Sequence, residues 1–182
     1  MNVVVYCSSV DNLPQHWQDA ASRLGKWIGS HKTQLVYGGV ESGLMKITST
    51  AAKDSGAKIV GVVPARRLDA ASPLNDVQVP TSDLNDRKGV MQMLGDIFVV
   101  LPGGYGTLDE FTTSFSYLNF TCQKKNIIVV NLDGIFDNIL AQLRIMAEKG
   151  LMKPEQLAIV TEASSSEEMI AALEESVREI KQ

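Results

Sequence analysis

The chain has 182 residues, 45% of them hydrophobic, with 17 Lys plus Arg against 21 Asp plus Glu; this fits one domain able to bury about two-thirds of the surface its unfolded chain exposes. The net charge of −4 lacks the basic footprint that nucleic acids and anionic membranes demand, so neither is an expected partner, although a local cation cluster can still hold one small anion. Cys7 and Cys122 stand outside any CxxC or Cys/His spacing, which excludes a disulfide framework and a zinc site and makes two reduced thiols in the cytoplasm the expectation.

In chain order, the first apolar run, residues 3–6, lacks in-out alternation and predicts a strand covered on both faces. No basic segment precedes it, so no signal peptide is expected. Residues 15–30 carry Trp17, Ala20, Ala21, Leu24, Trp27 and Ile28 at three- and four-residue steps behind Pro14, the pattern of an amphipathic helix. A strand at 34–37, a helix at 42–55 and a strand at 58–63 follow. Residues 65–81, with Pro73, Pro80 and mixed charges, are the least regular stretch and are expected to form a mobile loop beside a site. The pattern then predicts helix 82–94, strand 97–101, helix 107–120, strand 127–131, helix 136–148, strand 157–161 and helix 165–181. No run approaches the roughly 18 apolar residues of a membrane span. Strands alternating with helices imply right-handed crossovers, so the predicted fold is α/β: a Rossmann-like three-layer sandwich with a parallel β-sheet, one domain over residues 1–182.

Ligands of such sheets sit beyond the C-terminal strand ends. The loop after the first strand, Cys7-Ser8-Ser9-Val10-Asp11-Asn12, has no GxGxxG, which speaks against a dinucleotide cofactor. After the second strand, Gly38-Gly39-Val40-Glu41-Ser42-Gly43-Leu44-Met45 places Leu44 and Met45 where a P-loop needs Lys and a hydroxyl, and Ser42 falls one place off a GxSxG elbow. After the fourth strand comes Leu101-Pro102-Gly103-Gly104-Tyr105-Gly106-Thr107-Leu108-Asp109-Glu110. Glycines at a strand-to-helix turn expose successive N–H groups and let an oxyanion approach. The same residues also read as a ligand-free turn in which Thr107 caps the helix and Glu110 completes a capping box. The helix leading into this strand opens with Ser82-Asp83-Leu84-Asn85-Asp86-Arg87-Lys88. Its adjacent cations suit a phosphate or carboxylate, while Arg87 also stands at i+4 from Asp83, the spacing of a surface ion pair.

Together, Arg87-Lys88 and Pro102-Gly103-Gly104-Tyr105-Gly106-Thr107-Leu108-Asp109-Glu110 resemble the RK…PGGxGTxxE signature of the Lonely Guy family of nucleoside 5′-monophosphate phosphoribohydrolases, also described as possible lysine decarboxylases. Val36-Tyr37-Gly38-Gly39, Gly43-Leu44-Met45, Gly61-Val62-Val63-Pro64 and Val130-Asn131-Leu132-Asp133-Gly134 fall in the family's order. The resemblance implies a Rossmann-like homodimer that hydrolyses the N-glycosidic bond of AMP or a cytokinin riboside 5′-monophosphate to free base and ribose 5-phosphate. It implies Arg87 and Glu110 as the catalytic pair. It further implies Lys88, Gly103, Gly104, Tyr105, Gly106, Thr107, Ser116, Gly39 and Gly43 as substrate-binding positions, with no metal and no organic cofactor. The sequence departs from the pattern at Val40 and Lys46, where the family has glycine, and at Leu84, Tyr117 and Asn126, where it has Met, Trp and Pro.

Cleaving an N-glycoside builds positive charge at the anomeric carbon, which an ionised Glu110 can stabilise while it guides water. Arg87, always charged, is expected to orient phosphate, ribose or Glu110 and to donate no proton. Asp69 and Glu41 are further carboxylates that can approach the ribose. The rival reading is a nucleotide-binding or sensing module of the same fold without turnover, suggested by Val40 and Lys46. A literal decarboxylase needs a Schiff-base lysine and a partner for the pyridinium nitrogen, and no spacing marks such a set.

Overall fold

The computed structural model describes residues 1–123 and 125–181. Seven strands form one parallel sheet: β1 (Asn2–Tyr6), β2 (Gln34–Tyr37), β3 (Lys58–Pro64), β4 (Val77–Thr81), β5 (Ile97–Val100), β6 (Ile127–Val130) and β7 (Val160–Ala163), in the order β4-β3-β2-β1-β5-β6-β7. The helices are α1 (Gln15–Ser30), α2 (Gly43–Asp54), α3 (Leu84–Leu94), α4 (Tyr105–Phe120), α5 (Asp137–Glu148), a short α6 (Pro154–Leu157) and α7 (Ser166–Ile180). The chain lays down β1 to β4 outward from the centre, then returns to place β5 on the other side of β1. A crevice opens where the winding reverses, between β1 and β5, at the strands' C-terminal ends.

Alternation along each central strand divides the apolar interior into two layers. Val3, Val5 and Cys7 of the first strand and its exit pack with Ala20, Leu24 and Ile28 of α1, Leu44 of α2 and Met169 and Leu173 of α7. Val4 and Tyr6 point the other way, onto Met91 of α3, Phe111 and Leu118 of α4, and Leu140 of α5. The three-layer α/β expectation is therefore met, and six helices fall where the apolar spacing places them.

Two edge elements depart from expectation. Residues 65–81 are not one irregular loop: a 3-10 turn at Ala65–Ala70 leads to β4, which pairs with β3 alone. Because β4 is an edge strand, mostly exposed, it carries no apolar run, and Pro80 is tolerated there. The last strand is Val160–Ala163 and not 157–161, since Pro154 opens a helical turn that takes Leu157. At the C-terminal ends of the strands, Asp133 accepts a hydrogen bond from Trp17 Nε1 at 2.9 Å and contacts His16 Nε2 at 2.7 Å, a surface tie between α1 and the turn after β6.

The helices α1 and α2 approach closely at Gly25, where an added Cβ would lie 2.4 Å from the Thr48 carbonyl oxygen and 2.8 Å from Ala51 Cβ. Helix propensity favours Ala over Gly by about 1 kcal/mol, but overpacking against backbone costs about 1–3 kcal/mol and should dominate. Gly25→Ala is expected to lower the thermal midpoint by about 2–8 °C, and an unchanged or raised midpoint in calorimetry would contradict this packing.

Candidate active site

Four loops converge on the crevice. Leaving β1, Ser8 binds its neighbours on both sides: its N–H donates to the Pro102 carbonyl at 3.1 Å, and its carbonyl accepts from Leu44 N–H at 3.0 Å. The loop is thereby tied to the exit of β5 and to the start of α2. Gly43, at the head of α2, has φ of 53°, and a Cβ there would meet Ser8, Ser9 and Val10 backbone atoms at 2.6 Å. Its N–H is bound by Asp11 Oδ1 at 2.9 Å. A cavity of about 320 Å³ results, lined by Cys7 to Val10, Gly38, Met45, Arg87, Gly104 to Thr107 and Glu110.

Arg87 and Glu110 meet at the floor of this cavity. Arg87 leaves the first turns of α3 and Glu110 the second turn of α4, the two helices flanking β5 in sequence. Arg87 Nη1 donates to Glu110 Oε1 at 2.8 Å, while Nε donates to the Val62 carbonyl of β3 at 3.0 Å. The remaining guanidinium nitrogen lies over Gly38, where a Cβ would come within 2.3 Å of it. Glycine is required there because Arg87 occupies the space. Glu110 Oε2 accepts no hydrogen bond among the described residues, so one carboxylate oxygen is held by the guanidinium and the other is uncommitted. Burial pushes the Glu110 carboxyl above its ordinary value of 4.5, and the charge and hydrogen bond of Arg87 oppose that push. The surface pairing of Arg87 with Asp83 does not form; Asp83 instead caps α3, accepting from the Asn85 and Asp86 N–H groups.

The capping-box alternative at α4 also fails. Gly104 is the N-cap, Thr107 is the third helical residue, and no side chain caps this end. The first helical N–H groups, at Tyr105, Gly106 and Thr107, consequently carry no intrahelical bond and lie at the cavity with the dipole's positive end. A Cβ added at Gly104 or Gly106 would meet no protein atom within 4 Å. By contrast Gly103 has no such room, since a Cβ there would collide with Thr107 Oγ1 at 2.1 Å; it shapes the turn behind the cavity and is not on its lining.

Other expected site residues lie farther off. Lys88 is buried and its ammonium spans both oxygens of Asp109, at 2.7 and 2.9 Å, so it joins α3 to α4 and does not line the cavity. Gly39 and Gly43 support the loops from behind, and Ser116 is exposed along α4 outside the lining. Glu41 lies 3.6 Å from Lys46, and neither it nor Asp69 lines the cavity. Conversely, Cys7, Ser8, Ser9, Val10 and Met45 line it without having been singled out. Their signal was positional: Cys7 to Val10 leave the central strand.

Residues 45–173 match the family described as possible lysine decarboxylase. The chain is 33% identical over 180 residues to a protein of Oryza sativa subsp. japonica named cytokinin riboside 5′-monophosphate phosphoribohydrolase LOG, covering 97% of this chain and 74% of the rice protein. The chain belongs to the Lonely Guy family. A second Lonely Guy relative, LOG3 of Arabidopsis thaliana, bears the same enzyme name and is 31% identical over 176 residues, 95% of this chain and 81% of that one. Among solved structures, the molybdenum cofactor binding protein of Rippkaea orientalis superposes with a TM-score of 0.75 at 22% identity, over 97% of this chain and 96% of that chain. The molybdenum cofactor carrier protein of Chlamydomonas reinhardtii gives 0.74 at 21%, over 97% and 98%. At these identities the likeness concerns the fold.

The buried pair makes two measurable demands on this Lonely Guy protein. Arg87→Ala leaves a buried carboxylate without its counter-charge and is expected to cost about 3–5 kcal/mol in urea unfolding; adding Glu110→Gln should restore most of the loss, and a double variant no more stable than Arg87→Ala would contradict the pairing. Because the folded-state carboxyl titrates above 4.5, the native state binds more protons than the unfolded chain between that value and its own. Stability should fall as pH rises through this window, and Glu110→Gln should flatten that component of the profile.

Proposed function

We propose that the protein is a nucleoside 5′-monophosphate phosphoribohydrolase, which hydrolyses the N-glycosidic bond of a purine nucleoside monophosphate to free base and ribose 5-phosphate. The observation that carries this reading is the cavity's division into an uncapped helix N-terminus at Tyr105 to Thr107 and, farther along the same helix, the buried Glu110 paired with Arg87 of α3. The first suits a phosphate dianion, which helix N–H groups bind without side chains. The second suits the reacting carbon. As the C1′–N bond breaks, its electron pair leaves with the base, which takes a proton from solvent, and positive charge builds on the ribose. Glu110, held ionised by Arg87, stabilises that charge and accepts a proton from the water whose oxygen adds to C1′. The phosphate does not react; its binding fixes the sugar over Glu110.

The finer reading is AMP or a cytokinin riboside 5′-monophosphate as substrate, and the relatives' names support the second of these. A homodimer is also proposed, supported by the exposed Met93, Leu108 and Phe120 on α3 and α4. No helix among the described residues is long and apolar enough to cross a membrane, and the two unpaired cysteines accord with a cytoplasmic location.

Three measurements test the reading. Glu110→Gln should fold, bind AMP and lose on the order of a hundredfold or more in base release; turnover near the parent rate would make Glu110 structural. AMP should exceed adenosine strongly in kcat/KM, and equal values would remove the phosphate from transition-state binding. The proposed reaction uses protein groups alone, so activity should survive EDTA. Loss on chelation with recovery on one divalent ion would refute that.

A further inference from the structure

The cavity over Glu110 continues past Gly38 and Arg87 into a second chamber of about 490 Å³ on the β3 side. With the phosphate at the head of α4 and the ribose over Glu110, a base on C1′ can extend past Gly38 and Met45 into this chamber, which Tyr105 also lines. Its apolar walls are Val40, Met45, Pro64 and Leu84, and its charged groups are Arg87 and Arg67, with no carboxylate on the lining. Arg87 is committed to Glu110 and the Val62 carbonyl. Arg67 makes no hydrogen bond and no ion pair among the described residues. Its 3-10 turn is pinned at both ends: Pro64 belongs to β3, and Ala71 bridges Val40 while Ser72 N–H donates to the Gly39 carbonyl at 2.7 Å. Val40, one of the departures from the family pattern, is thus part of the strut that holds the backbone from which the exposed Arg67 side chain reaches the chamber.

Resting on the phosphoribohydrolase reading, we propose that this chamber receives the leaving base and that Arg67 reads its edge, so that a 6-oxopurine nucleotide, inosine or guanosine 5′-monophosphate, is hydrolysed in preference to AMP. A guanidinium only donates hydrogen bonds. Its fork matches the adjacent O6 and N7 acceptors of a 6-oxopurine, whereas a 6-aminopurine sets an N6 donor against it. No lining carboxylate is present to receive that amino group. This selectivity differs from the adenine-type substrates in the relatives' names. A glutamine at position 67 has the donor and acceptor pair that fits adenine N7 and N6.

The test is kcat/KM for inosine and adenosine 5′-monophosphates, measured by free-base release from the parent, Arg67→Ala and Arg67→Gln, with equilibrium binding of both nucleotides to the same proteins carrying Glu110→Gln. The parent should favour the 6-oxo nucleotide by roughly tenfold or more, Arg67→Ala should bring the ratio near parity, and Arg67→Gln should reverse it. A ratio unmoved by either substitution, or equal losses on both nucleotides, would overturn the assignment. If no nucleotide releases base but binding still follows position 67, the subsite stands and the hydrolysis reading falls. If neither release nor such binding occurs, both fall.

Discussion

The ion pair between Arg87 and Glu110 is the constraint around which the site is arranged. A carboxylate as buried as Glu110 is held charged only against a counter-charge, because burial alone favours the neutral acid. That counter-charge comes from a different helix, so α3 and α4 must keep their relative position to within hydrogen-bond tolerance. The adjacent Lys88–Asp109 pair crosses the same two helices and braces them. The guanidinium is fixed in turn by the Val62 carbonyl, and Gly38 leaves room for it. One strand, two helices and a glycine thus serve one pair of side chains, and the pair occupies the crevice that the sheet's reversal opens beside β1.

The central layers were legible in the sequence because strands covered on both faces must be apolar throughout. Residues 3–6, 34–37 and 127–131 announce themselves in that way, whereas β4 and β7 lie at the sheet's edges, where half-exposed residues and prolines dilute the pattern. Of the candidate site, Arg87 and Glu110 were readable from spacing and resemblance, but their contact is tertiary and no periodicity predicts it. Lys88 shows the limit of motif reading. Its place beside Arg87 suggests the same ligand, yet one step along a helix turns a side chain by about 100°, and Lys88 faces Asp109 instead. The loop from Cys7 to Val10 carries no GxGxxG or other motif that would assign it a role in the sequence, and in the structure it contributes backbone and shape to the cavity.

Helix ends record a division of labour that sequence alone left ambiguous. Asp83 caps α3 and Ser165 caps α7, with side chains accepting from the first N–H groups. At α4 the corresponding position is Gly104, and no side chain caps it. An uncapped end costs about 1 kcal/mol relative to a good cap; α1, α2 and α5 also lack a side-chain cap, and at α4 the open turn from Gly104 to Thr107 lines the cavity. The same overall fold occurs in proteins named for binding or carrying the molybdenum cofactor, at 21–22% identity. Shared architecture therefore places the cavity without deciding its chemistry, which lies in the side chains that line it.

Those side chains favour catalysis over sensing on electrostatic grounds. A module that merely binds a nucleotide monophosphate gains nothing from a carboxylate near the phosphate: the two anions repel, and burying the carboxylate carries a desolvation cost. Glutamine would keep the shape and remove both penalties. A buried carboxylate beside a phosphate-binding helix end becomes favourable only when positive charge appears between them, as it does on the ribose while the glycosidic bond breaks. The arrangement is then weaker toward the bound nucleotide than toward its transition state, the difference on which rate acceleration depends. Arg87 fits the same logic, since its charge and hydrogen bond oppose the burial that raises the Glu110 pKa, and its contact through Oε1 leaves Oε2 without a partner among the described residues. On the proposed mechanism, the desolvation that Glu110 carries in the resting protein is offset when positive charge develops on the ribose.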